Sequence, residues 1–63
     1  MKGDKIMLTV ERNGKVIFKE KYRGKSTTTK ALNYIESLGL YAVEYCKCAD
    51  GRRIIVAMTE DEI

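Results

Sequence analysis

Two thiols stand two residues apart in "YCKCADGRR" (residues 45–53), beside an Asp-Gly turn signal and a pair of arginines. That constellation could serve thiol redox or metal chemistry, because neighbouring cations lower a thiol pKa and a thiolate is the reactive form. The chain has two cysteines and no histidine, so a mixed Cys/His zinc site is ruled out within one chain. On a strand, Cys46 and Cys48 would point to one face with Cα atoms about 6.6 Å apart, the upper edge of disulfide geometry. The reading is therefore two free thiols, with no metal and no cofactor. General acid–base catalysis asks for a histidine or for paired carboxylates in a cleft. The acids here are scattered over turns, strand exteriors and the tail "TEDEI". Glu20 is the exception, since its even number places it inward with Phe18 and Tyr22. A strand-end position that reaches water or a lysine accounts for it without catalysis. Gly24-Lys25-Ser26 precedes a helix start, where amides attract anions, but the spacing is wrong for a phosphate loop. The expectation is a protein that is not an enzyme.

Charge supplies the other signal. Residues 12–30 hold seven Lys/Arg against Glu20 alone, while Glu60, Asp61 and Glu62 make the end acidic; the net charge is +3. A basic segment can meet phosphates or an acidic protein surface, or guard an exposed sheet edge. The longest apolar run is the five residues Ile54–Met58, too short to span a membrane. The charged start and the unpaired cysteines point to a reducing, cytoplasmic setting.

The elements that must position these residues are punctuated by Asn13-Gly14, Gly24, Gly39 and Asp50-Gly51. Residues 5–11 and 15–22 form a first hairpin. A three-residue loop, Arg12-Asn13-Gly14, pairs Val10 with Val16 and Leu8 with Phe18, which sets apolar opposite apolar. "STTTKALNYIESLG" reads as a helix capped by Ser26, Thr27 or Thr28. Its inner face is Ala31, Leu32, Ile35 and Leu38, and a Gly39–Leu40 Schellman closure ends it. Residues 41–48 and 52–58 form a second hairpin. A two-residue type I′ loop, Asp50-Gly51, pairs Tyr45 with Val56 and Val43 with Met58. That register turns Ile54, Val56 and Met58 inward, with Tyr41, Tyr45 and Phe18, and turns Arg53, Ile55 and Ala57 outward. It sets Cys46 opposite Ile55 and Cys48 opposite Arg53. A right-handed crossover then gives one α+β domain over residues 1–63: ββαββ, strand order 2-1-4-3, one helix on one face.

"NGK" in the first turn, "STTTKAL" opening the helix and Asp50-Gly51 in the last turn span nearly the whole chain. With this element order the chain resembles the β-grasp, especially the immunoglobulin-binding domains of proteins G and L. The resemblance implies the fold. Those domains bind antibodies through the second strand and helix, a region far more basic here, so that activity is not carried over. Ubiquitin-like carriers end in Gly-Gly where this chain has Glu62-Ile63, and ferredoxin-type members need four cluster cysteines. Fold alone does not set function.

The functional expectation is a small protein-binding module whose partner is unidentified. It would use the basic second strand, a sheet edge or the outer sheet face, through Met7, Lys15, Ile17, Lys19, Lys21, Arg23, Arg53 and Ile55. A phage or mobile-element inhibitor of a host factor is a role such a chain would suit. The same surfaces would also serve a homo-oligomer. The alternative is nucleic-acid binding through Lys19, Lys21, Arg23, Lys25 and Arg53, which would be strongly salt-dependent.

Overall fold

The computed structural model describes residues 6–63. Strands β1 (Met7–Arg12) and β2 (Lys15–Lys21) precede helix α1 (Lys25–Ser37). Strands β3 (Tyr41–Lys47) and β4 (Arg53–Met58) follow, and a 3-10 turn covers Glu60–Glu62. The four strands form one sheet in the order β2-β1-β4-β3, with β1 and β4 parallel and both outer pairs antiparallel. This is the ββαββ α+β architecture expected from the sequence.

The two hairpin loops are interchanged relative to expectation. Arg12 pairs with Lys15, so the first loop is the two residues Asn13-Gly14. Both have positive φ, 56° and 80°, as a type I′ turn requires. A bulge leaves Ile17 without a partner, so Val16, expected inward opposite Val10, pairs instead with Glu11 and is exposed, while Ile17 packs against the core. Val10 therefore faces Phe18, and Leu8 faces Glu20. In the second hairpin Cys48 N–H donates to the Arg52 carbonyl at 2.7 Å, and Gly51 N–H to the Cys48 carbonyl at 2.9 Å. The loop is thus the three residues Ala49-Asp50-Gly51. Gly51 alone takes the left-handed conformation there, at φ 95°. Asp50 instead accepts from the Arg52 backbone N–H at 3.1 Å and from Arg52 Nε at 2.8 Å. That local bonding favours a type I turn over the type I′ form, which would need φ > 0 at Asp50 as well.

One residue of loop length reverses the faces of β4. Tyr45 opposes Ile55 and Cys46 opposes Ile54. Ile55 and Ala57 are buried beneath the helix with Leu8, Val10, Ala31 and Ile35, and Ile17, Phe18, Tyr22 and Leu40 pack around them. Ile54, Val56 and Met58, expected inward, lie on the outer face. A second bulge at Val43 restores pairing of Ala42 with Ala57 and Tyr41 with Met58, which turns Tyr41 outward. Each large aliphatic side chain in this core contributes about 1.5–3 kcal/mol relative to exposure.

Helix α1 begins at Gly24 with no side-chain cap. Thr27, one of the cap candidates, is instead buried inside the first turn. Its hydroxyl accepts from Arg23 N–H at 2.9 Å and donates to the Lys21 carbonyl at 3.4 Å, tying the strand end to the helix. The buried stripe is Thr27, Ala31 and Ile35. The C-terminal closure is as expected: Gly39 has φ 75°, its N–H bonds to Glu36 O, and Leu40 N–H bonds to Ile35 O.

Candidate interaction surface

Helix α1 meets β2 along one side of the inner face of the sheet. Phe18 and Tyr34 meet there with ring centroids 5.3 Å apart, and Lys30 Nζ donates to Glu20 at 2.9 Å. Glu20 is thus paired with a helix lysine. Toward β3 a gap remains between helix and strand. A groove of about 310 Å³ runs between helix and strand, lined by Thr28, Leu32, Ala42, Val43, Glu44, Tyr45 and Ile55. All seven residues of β3 are exposed. Leu32, expected to be inner, is 42% exposed, and Val43 and Tyr45 are 39% and 51% exposed around it.

β3 and β2 are the two sheet edges, and they differ in character. The β2 edge carries Lys15, Lys19 and Lys21, all exposed. Charged edge residues discourage strand addition. The β3 edge offers Tyr41, Ala42, Val43, Tyr45 and Cys46, interrupted by Glu44 and ended by Lys47. An exposed apolar edge of this kind is a template for another strand.

Arg53 lies on the helix side of the sheet, not on the outer face. Its guanidinium sits 4.1 Å from the Tyr22 ring centroid, and Nη1 donates to Tyr45 Oη at 3.0 Å. It is therefore separated by the sheet from Lys19 and Lys21, which share the outer face with Thr9 and Met7. Ile55, expected on a contact surface, is 2% exposed in the core, and Ile17 packs against that core. Of the other expected contact residues, Met7, Lys19 and Lys21 share the outer face, Lys15 sits beside the Asn13-Gly14 turn, and Arg23 and Lys25 flank the helix start. The outer face does have an apolar centre, but Ile54, Val56 and Met58 form it. Glu11 and Glu44 flank Val56 there.

Cys46 is an exposed free thiol, and Cys48 is a half-buried one. Among the described residues no group of three or more His, Cys, Asp or Glu side chains could hold a metal ion. No helix among them is long and apolar enough to cross a membrane. The acidic end folds back on the basic segment. Glu62 accepts from Arg12 Nη1 and, at 2.9 Å, from the Thr59 N–H, which closes a capping box on the last turn. The Thr59 amide, then Arg12, holds the Glu62 carboxyl below its ordinary pKa.

The sequence points to a sheet edge as one contact surface but not to the residues of β3: Tyr41, Val43 and Tyr45 read there as core residues, and all three are exposed. Comparison with protein-family models, with curated proteins and with solved structures finds no match.

Proposed function

We propose that this chain is a small protein-binding module that acts by occupying a partner's surface, and that β3 with the adjoining groove is its contact surface. The observation that carries the reading is the contrast between the two edges. β2 is guarded by lysines, whereas β3 presents an exposed apolar strand beside an open apolar groove. Edge-strand addition needs that combination: backbone groups give affinity, and a flanking pocket gives selectivity. The nucleic-acid alternative loses support from the placement of Arg53 and Lys19 on opposite sides of the sheet, because a phosphate backbone would contact one side.

The test is capture of partners from extract, after nuclease treatment, by four folded proteins: wild type, Val43→Lys, Leu32→Glu, and the double variant Lys19→Glu/Lys21→Glu. Circular dichroism confirms folding first. The expected outcome is a specific protein retained by wild type and by the lysine double variant, and lost with Val43→Lys and Leu32→Glu. Loss with the lysine variant alone would move the contact to the outer face. Capture abolished by nuclease would favour nucleic acid instead.

A further inference from the structure

We infer that the occupant of the β3 edge is an extended segment of a different polypeptide, lying antiparallel to β3 and reading acid-x-apolar-base-apolar along its length. The inference rests on β3 being the contact edge.

The pattern follows from what β3 presents residue by residue. Opposed residues of an antiparallel pair share a face, and successive residues alternate between faces. Lys47 and Tyr45 share the helix side, since they oppose Arg53 and Ile55, while Cys46 and Glu44 lie on the outer side. An incoming antiparallel strand meets Lys47 first. That position calls for a carboxylate. The next residue stands over Cys46 on the outer side and is unconstrained. The third, over Tyr45, faces the groove and calls for an apolar side chain. The fourth, over Glu44, calls for a lysine or arginine. The fifth comes level with the Val43 bulge and returns to the groove side, where Leu32 and Ala42 line an apolar space. Direct opposition of unlike charges stabilises a sheet pair, and direct opposition of like charges destabilises it.

The same rule argues against a second copy of this chain. β3 paired antiparallel with its own copy over its full length is symmetric about its central residue, Glu44. That register sets Glu44 opposite Glu44 of the copy and brings the two Val43 bulges into the same ladder. Registers that avoid the carboxylate clash give up part of the strand.

The probe is the synthetic peptide acetyl-Ser-Glu-Thr-Val-Lys-Val-Thr-Ser-amide, compared with the version in which its Glu and Lys are exchanged. Each is titrated to millimolar concentration into the full chain labelled with ¹⁵N, and amide shifts are followed. The expected result is perturbation confined to β3, Thr28 and Leu32, with the exchanged peptide about fivefold weaker from two reversed charge pairs. The double variant Glu44→Lys/Lys47→Glu, which keeps the apolar groove, should reverse that preference. Equal binding of both peptides at β3 overturns the charge pattern while leaving β3 as the contact edge. Absence of any β3 perturbation with either peptide overturns the inference; the contact-edge reading then stands or falls on the Val43→Lys capture result. A concentration-dependent dimer whose amide shifts map to β3, seen without peptide, overturns the assignment to a different polypeptide.

Discussion

The Arg53 guanidinium carbon lies 4.1 Å from the centroid of the Tyr22 ring. This contact joins the start of β4 to the residue that follows β2, across the width of β1. The same side chain donates to Tyr45 Oη on β3, so one cation links both outer strands of the sheet on the helix side. Its attraction to the ring comes from the quadrupole of the aromatic face.

Replacing Arg53 by Met keeps much of the stem packing and removes the cation. The urea midpoint should fall, and a double-mutant cycle with Tyr22→Leu should show coupling of favourable sign. Added salt should weaken that coupling only slightly, because a cation held against a ring is short-ranged. A cycle that closes with no coupling would show that the stack contributes nothing to stability.

The first turn offers a cleaner backbone test. A Cβ at Gly14 would meet nothing within 4 Å, so Gly14→Ala has no steric clash to relieve and isolates the conformational cost. With φ at 80° that cost should be about 1–2 kcal/mol, read from denaturant unfolding. Asn13→Gly, at the other left-handed position, should be close to neutral, because Asn already tolerates this region. A neutral Gly14→Ala would mean that the hairpin changes its loop, and the bulge at Ile17 would be the first place to look.

Acid should destabilise the fold through two exposed carboxylates. Asp50 is held below its ordinary pKa, chiefly by the Arg52 backbone N–H, and Glu62 chiefly by the Thr59 N–H. A group whose folded pKa is depressed adds stability above its unfolded pKa and loses it as pH falls through the folded value. The unfolding midpoint should therefore hold steady near neutral pH. It should decline as pH falls through the ordinary carboxylate range near 4 and below. Asp50→Asn and Glu62→Gln should each flatten that decline, and both effects should be small because the groups are solvent-exposed. An unchanged pH profile in the double variant would assign the decline to other carboxylates.

Element order, strand order and the C-terminal end of the helix were legible in the sequence. Asn-Gly, Gly39 and the spacing of Ala31 and Ile35 act through local backbone preferences that tertiary packing had no reason to override. The faces of β1 were legible too, because Leu8 and Val10 alternate with Met7, Thr9 and Glu11. Which face β4 buries was not. Arg53–Met58 is apolar at nearly every position, so either parity could supply a core. The choice fell to one residue of loop length around Asp50, where a side-chain bond to Arg52 competed with a type I′ turn. That choice put Ile55 and Ala57 under the helix, moved Ile54, Val56 and Met58 to the open face, and carried Arg53 away from Lys19. The residues of the proposed contact edge were hidden as well. Tyr41, Val43 and Tyr45 look like core residues in the sequence; the Val43 bulge turns Tyr41 to the outer face, and Val43 and Tyr45 stay exposed beside the groove between α1 and β3. Local chemistry thus determined the elements, while the packing of one helix on a sheet wider than itself decided which apolar residues stayed exposed.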